Sequence, residues 1–532
     1  MFLVLTIYTI TTLLSLKLLF SSMAPVSLNG VEAVRAAAED AGVRMATGVP
    51  GYPINAVFSA LQEAKADPGS ADKMPVAQWQ FNEKIAYEMA LGASACGDRA
   101  LVLSKHVGIN VMADPVIISA THGIGAGIVV IAGDDVGAML SQNEQDSRWY
   151  GKLGEIPVLD PQGPGELYDA ILEGFLLSEQ ISAPVLVRVT EPVLVNTGPV
   201  NRRKIPEAQK KIDRHTWNYT MLGKHQKYMK DGWSLALHRA LSSPLNRITR
   251  KTRIGLISSG SASQPAAEAA DAMRLSHLSL GFVNPFPKRK VEDFVNENEA
   301  ILICEEPSPY IESHLSSPKV KGRFTGHLPL AGGLDVQMIM DAAEHIMEPK
   351  MSISVKPETM EARGFFKKAC DGCPFQPVYE AIKALNVNVA SDVGCSILTS
   401  GPPFNMVDVA CSLGSPVSVA AGFRQKGVAM LGDFGLLHTG MQALLNAKYN
   451  DQNVLTVIFV NQRAAMTGGQ TVPDITGIVQ STFADVTIVT EAAGLTTEKV
   501  KADLEGLLKQ PGLSIYLVRG QCPEGAMHQK AA

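Results

Sequence analysis

Short apolar runs rich in β-branched residues alternate along the chain with longer stretches of helical pattern, and the alternation holds for most of the 532 residues. Runs of the first kind predict buried strands at 100–104 (ALVLS), 127–135 (GIVVIAGDD), 183–190, 253–261, 300–306, 386–394, 427–435, 453–462 and 513–520. Strands that alternate with helices imply an α/β fold with mainly parallel sheets. In such sheets ligands bind at the carboxyl ends of the strands. Several of these runs end in polar or glycine-rich turns, and those ends are where the chemistry is sought.

Two breaks in the pattern divide the chain. Residues 196–232 are polar and basic, and residues 347–368 form a second linker-like passage. The divisions expected are an apolar extension at 1–23, α/β domains at 24–200, 250–348 and 364–525, and a linker at 201–249, all within the usual size range of domains. The basic stretch lacks aromatic spacing suited to bases and reads as a solvated connector. A net charge of -5 and a pI near 6.2 give no global basic field, so nucleic acid is not expected as a partner. The opening MFLVLTIYTITTLLSLKLLF is long enough to span a bilayer, interrupted only by Lys17. It lacks a basic n-region and cleavage site, and Met23 opens a natural start for a domain. An upstream start codon chosen in error, with a cytoplasmic protein, is the favoured reading; a membrane anchor is the alternative.

Seven cysteines are too few for a disulfide scaffold in so long a chain. Cys96, Cys304 and Cys411 stand in apolar or small-residue contexts and read as inert core positions. Cys370, Cys373, Cys395 and Cys522 do not.

The stretch GDFGLLHTGMQALLNAKYNDQNVLTVIFVNQRAAMTGGQ, 432–470, carries the densest chemistry. A divalent cation such as magnesium wants oxygen ligands, which it shares with a phosphate group. Asp433, after Gly432, and Asn461 offer two oxygens from the ends of two predicted strands. MTGGQ then offers backbone N–H groups and the Thr467 hydroxyl to phosphates. A capped strand and a tight turn would account for a lone Gly-Asp; the whole set is far more specific.

That set resembles the diphosphate-binding motif of thiamine diphosphate enzymes, in the form used by 2-oxoacid:ferredoxin oxidoreductases. ACDGCPFQPVYEAIKAL, SDVGC, PPFNMVDVACSLG and HTGMQALLNAKYN resemble the alpha subunit of indolepyruvate ferredoxin oxidoreductase. NEKIAYEMALGAS, KHVGINVMADP and SQNEQDSRWYGKLGEIPVLDP look like its pyrimidine-binding domain, and FVNPFP with ILICEEPSPYIE looks like its central domain. The resemblance runs from about residue 28 to residue 522. It implies three doubly wound α/β domains of the transketolase-like superfamily: a pyrimidine domain, a transketolase C-terminal-like domain and a diphosphate domain. It implies thiamine diphosphate held through Mg2+ by Gly432, Asp433, Asn461, Thr467, Gly468, Gly469 and Gln470, with Glu83 beside N1′ of the aminopyrimidine as the proton-sharing carboxylate. An isolated Glu is usually a surface carboxylate; here Glu83 opens a helix in a pyrimidine-type domain. The cofactor is then expected to bridge the first and third domains.

The implied reaction is oxidative decarboxylation of a 2-oxo acid such as indolepyruvate to an acyl-CoA, with coenzyme A as co-substrate and ferredoxin as acceptor. A smaller partner subunit and a homodimer or heterotetramer are implied with it. His106 and Asn110 in KHVGIN, with Gln142 and Asn143 in SQNEQD, suit a carboxylate and a keto oxygen, although each taken singly could equally satisfy loop backbone. His438 in LLHTG is a further candidate for polarising the substrate carbonyl, a helix cap being the alternative.

The chain departs from the family in three places. The expected C-terminal ferredoxin-like domain does not follow Cys522, which makes a non-oxidative decarboxylase giving an aldehyde the rival reading. The loop usually like GYPGTPSS is GVPGYPINAV, with Tyr52, Ile54 and Asn55 where small hydroxyl residues are expected, and Tyr52 alters the substrate pocket. Phe375 replaces the usual histidine after a CDGCP form of the cysteine motif. Cys370, Cys373, Cys395 and Cys522 still resemble the ligand order of a proximal 4Fe-4S cluster, with zinc or free thiols as alternatives.

Overall fold

The structure is a computed structural model, and it describes residues 24–348 and 368–523. The expected extension at 1–23 and nearly all of the second linker-like passage lie outside the described residues. The chain divides into two compact units on either side of that passage.

The first unit carries two sheets. The larger has seven strands in the order Phe282–Asn284, Val158–Leu159, Val185–Val189, Ile128–Gly133, Ala100–Lys105, Met45–Gly48 and Val76–Trp79, parallel except for the first. All six residues of Ile128–Gly133 are buried, as expected of a strand covered by helices on both faces. The second sheet runs Val320–Lys321, Ala300–Cys304, Ile254–Ser259, Ser276–Leu280 and Asn246–Thr249, with the last antiparallel.

Buried ion pairs tie this sheet to the first. Arg148 donates to Asp146 at 2.6 Å, Glu305 at 2.9 Å and Ser259 at 3.0 Å, and to the carbonyls of Glu306 and Ser308. Arg188 bridges Asp134 and Asp160 and also reaches the Glu306 carbonyl. Hydrogen bonds of this completeness are what allow charges to be buried.

The polar passage after residue 196 is less of a free connector than its composition predicts. Thr197–Val200 pairs with Val26–Asn29, Arg202 grips Asp40 and Glu39, and Tyr228 is buried with its hydroxyl on the Glu155 carbonyl.

The second unit holds one fully parallel sheet: Val409–Ala410, Val389–Ser391, Gly427–Gly432, Val454–Val460, Leu513–Arg519 and Thr487–Glu491. Val454–Val460 is buried throughout. No helix among the described residues is long and apolar enough to cross a membrane.

Two of the cysteines read as core are exposed. Cys96 ends the helix Glu83–Cys96 and Cys411 follows a short edge strand, so only Cys304 is buried. Small neighbours in sequence did not translate into burial because both residues close an element at the surface.

Candidate active site

In the first unit three separated motifs meet at the carboxyl ends of the central strands. Glu83 is the first residue of Glu83–Cys96, a helix that starts because Asn82 accepts a hydrogen bond from Lys84 N–H at 2.9 Å. It ends at Gly97, whose φ of 103° suits glycine. Glu83 is only 6% exposed. A Cβ on Gly108 would lie 2.5 Å from Glu83 Oε1 and 2.2 Å from Ser104 Oγ, so the glycine of KHVGIN leaves room for the carboxylate.

The loop 48–57 approaches from the other side. Gly51 N–H donates to Asn55 Oδ1 at 2.7 Å, which closes the turn, and Ile54 packs where any side chain on Gly133 would stand. Tyr52 is half-buried, and its hydroxyl is held far above its usual range, first by burial and then by a hydrogen bond to Glu191.

His106 is fully buried, with both ring nitrogens engaged. Nε2 donates to the Asn143 carbonyl at 3.1 Å, and Nδ1 accepts from Asp135 N–H at 3.4 Å. Burial lowers its pKa. The ring therefore pins the 134–143 turn. Asn143 and Gln142 are exposed on that turn. Asn110, one turn along the helix His106–His122, is engaged by the Tyr150 hydroxyl.

Sequence reasoning passed over Lys105, the last residue of the strand Ala100–Lys105. Its stem lies against Gly51, where a Cβ would come within 2.6 Å of Cδ. Its ammonium donates to Gln142 Oε1 at 3.4 Å. Burial lowers its pKa, while the charges of Asp135 and Glu83 work the other way.

In the second unit Asp433 follows Gly432 at the end of a strand and Asn461 follows Val460 at the end of the neighbouring one, the pair brought side by side by the register Gly432↔Phe459. Asp433 Oδ1 accepts from Phe434 N–H at 2.8 Å, and Oδ2 accepts from the amides of Asn461 at 3.1 Å and Gln462 at 2.6 Å. Burial still pushes its pKa up to about 6. Asn461 Oδ1 accepts from Arg463 N–H at 3.0 Å; this oxygen and the buried Asp433 carboxylate stand on adjacent strand ends, and a divalent cation would stabilise the carboxylate as the anion.

Thr467–Gln470 is the tip of a small hairpin, Arg463–Ala464 against Gln470–Thr471. Gly468 and Gly469 both take positive φ there, and Gln470 Nε2 ties back to the Thr467 carbonyl at 2.7 Å.

Asp392, in SDVGC, was not singled out from the sequence. It is buried, accepts from the amides of Gly414 and Val393, and burial pushes its pKa up to about 6. A Cβ on Gly435 would come within 1.9 Å of Asp392 Oδ2, which ties this acid to the turn after Asp433. His438 is buried in the same helical turn, and its charge lowers the pKa of Asp392.

Burial first, and then the thiols of Cys373, Cys395, Cys522 and Cys370, hold the Tyr379 phenol well above its usual range. Asn461 Nδ2 donates to Cys522 Sγ at 3.2 Å. No group of three or more His, Cys, Asp and Glu side chains among the described residues stands as a metal-holding set. Phe375, where a histidine was expected, is buried against Phe459 at 5.0 Å between ring centroids and belongs to the core.

Residues 392–511, which contain Asp392, Asp433, Asn461 and the glycine turn, match the family described as thiamine pyrophosphate enzyme, C-terminal TPP binding domain. The chain is 30% identical over 478 residues to the indolepyruvate oxidoreductase subunit IorA of Archaeoglobus fulgidus, covering 84% of this chain and 76% of that one. It is also 30% identical over 491 residues to the same-named subunit of Methanothermobacter thermautotrophicus, at 84% and 77% coverage. A solved 2-oxoglutarate:ferredoxin oxidoreductase from Magnetococcus marinus, with 2-oxoglutarate, coenzyme A and succinyl-CoA bound, superposes with a TM-score of 0.50 at 14% identity. That match covers 61% of this chain and 66% of that chain, a likeness of fold.

Proposed function

The chain belongs to the family of the indolepyruvate oxidoreductase subunit IorA, and on that premise we propose that it is the thiamine-bearing subunit of an oxidoreductase that decarboxylates an aryl-substituted 2-oxo acid, with coenzyme A as acyl acceptor and ferredoxin as electron acceptor. The observation that carries the reading is the placing of Asp433 and Asn461 at adjacent strand ends, ahead of a positive-φ glycine hairpin and within the matched thiamine segment. Thiamine diphosphate, when bound, supplies the nucleophilic carbon and the electron sink for decarboxylation.

The chain's own residues hold and prime it. Asp433 and Asn461 would hold Mg2+ and Gly468, Gly469 and Thr467 the diphosphate, while Gln470 braces the turn. Glu83, kept in place by Asn82 and Gly108, would share a proton with N1′ of the bound cofactor. His106 positions the turn that carries Gln142 and Asn143 toward the substrate, with Tyr52 lining the pocket and Asn110 further along the helix. His438, buried in the turn after Asp433, is the candidate for polarising the substrate carbonyl.

The order of Cys370, Cys373, Cys395 and Cys522 along the chain supports a 4Fe-4S cluster, which thiolates would hold and which would take electrons one at a time. That assignment rests on donor chemistry, as does magnesium at Asp433. A smaller partner subunit, a homodimer or heterotetramer, and a cytoplasmic enzyme complete the reading. The domain divisions carry over from the sequence, with the pyrimidine domain at 24–200, the central domain at 250–348 and the diphosphate domain at 364–525.

The test is anaerobic turnover of the purified protein, with whatever chains accompany it, on indolepyruvate with coenzyme A and methyl viologen. Viologen reduction that requires both coenzyme A and thiamine diphosphate is the expected result. Release of carbon dioxide and aldehyde without viologen reduction would replace the oxidoreductase by a decarboxylase, and no uptake of thiamine diphosphate would make the chain a non-catalytic relative.

A further inference from the structure

Lys105 stands where a substrate must enter if the reading above is right, and nothing in that reading uses it. It closes the strand Ala100–Lys105 at the carboxyl end, where the 48–57 loop, the Glu83 helix and the 134–143 turn converge. The Gly51 backbone lies so close to its stem that any side chain at 51 would displace it, since a Cβ would meet Cδ at 2.6 Å and Cγ at 2.9 Å. The glycine in VPGYP therefore serves to seat a lysine.

What the ammonium lacks is a committed partner. It has three N–H donors. Its one hydrogen bond among the described residues is long, 3.4 Å to the neutral amide oxygen of the exposed Gln142. Asp135, whose charge it feels, has both carboxylate oxygens engaged elsewhere, Oδ1 by Met139 N–H at 3.0 Å and Oδ2 by Leu140 N–H at 2.8 Å. A desolvated cation costs free energy unless an anion meets it. The charges of Asp135 and Glu83 act on this ammonium, while among the described residues its donors meet only the Gln142 amide.

We propose that the Lys105 ammonium binds the carboxylate of the 2-oxo acid, beside Glu83 and on the Tyr52 side of the pocket, and so makes the site select acids over the corresponding neutral carbonyl compounds. The proposal rests on the thiamine-dependent 2-oxo acid reading. It adds a residue that touches substrate and gives the departure at Tyr52 a neighbour, because the lysine and the aromatic ring are both carried or seated by the same loop. The recognition is of charge: a carboxylate is met by an opposite charge, and a lysine with open donors can meet both of its oxygens.

The experiment uses the holoenzyme, with its accompanying chains, as wild type, Lys105→Met, Lys105→Gln and Lys105→Arg. Binding of indole-3-lactate, an unreactive acid of similar shape, is measured by calorimetry. KM and kcat are measured for indolepyruvate and for indole-3-acetaldehyde, which lacks the carboxylate, and thiamine diphosphate content is measured alongside. The expected result is that Met and Gln weaken indole-3-lactate binding and raise KM for indolepyruvate about ten- to hundredfold. Aldehyde oxidation and cofactor content should be unchanged, and Arg should restore much of the acid affinity. Equal losses on acid and aldehyde would overturn the proposal, as would loss of the cofactor or no change in acid binding in either neutral variant. Failure of the underlying reading looks different, because the wild type itself would then take up no thiamine diphosphate, and the proposal would fall with it.

Discussion

Arg148 and Lys105 are two cations of the same unit, the first fully buried and the second partly so, and their partners differ. Arg148 is 0% exposed, and its guanidinium meets two carboxylates, a hydroxyl and two carbonyls. Lys105 has, among the described residues, one long bond to an amide. Asp433 in the second unit resembles Lys105 in this: among the described residues only backbone amides meet its carboxylate, and burial pushes its pKa up to about 6. A buried charge whose valences are filled by its own chain holds the fold together. One left with capacity to spare awaits a ligand.

The contrast is sharpest where a filled partner is removed. Arg148→Met leaves Asp146 and Glu305 buried without their cation, and the urea transition of the full chain should lose about 3–5 kcal/mol of stability. A loss under about 1 kcal/mol would show that the ion network is not what joins the two sheets.

Asp433→Ala should leave the fold in place but weaken Mg2+-dependent thiamine diphosphate binding by more than the roughly 10- to 100-fold that loss of an outer partner costs. Calorimetric titration with and without Mg2+ reads this directly.

Gly108→Ala falls between the two classes. The added methyl presses on Glu83 Oε1 and Ser104 Oγ, and a displacement near 1 Å at a reacting group can cost about a hundredfold in rate. Overpacking should cost only about 1–3 kcal/mol in the unfolding midpoint. Turnover and denaturation measured on the same preparation separate the effects.

The smallest effect expected is a pH slope. Asp392 has its pKa raised from 3.8 to about 6 by burial, so the folded apoprotein binds more protons than the unfolded chain between those values. Its contribution is fully present below about pH 4 and is lost as pH rises through about 6, worth about 1–3 kcal/mol. Asp392→Asn should flatten that slope in urea unfolding from pH 4 to 7.

The strands that could be read from the sequence were those whose residues are apolar without interruption, such as Ile128–Gly133 and Val454–Val460. Ser276–Leu280 is equally buried but was missed, because its polar side chains find partners inside: Ser276 Oγ donates to the Thr252 carbonyl and His277 pairs with Ser258 at 2.7 Å. Burial of satisfied polar groups leaves no apolar run to see. Asp433 and Asn461 were legible because each stands where such a run stops. Lys105 was not, since its meaning depends on Gly51 and Gln142, which only the folded sheet brings to it. Phe375 and Cys411 show the converse, a motif position filled from the core and a cysteine left at the surface.

The central claim is that Glu83 primes thiamine, and exchange of the thiazolium C2 proton for deuterium measures it most directly, in holoenzyme and in Glu83→Gln loaded with the same cofactor. The amide keeps the shape of the side chain but cannot share a proton with N1′. Exchange slowed by about 10²- to 10⁴-fold with cofactor content unchanged is the predicted result. Exchange at the wild-type rate in the loaded variant would contradict it.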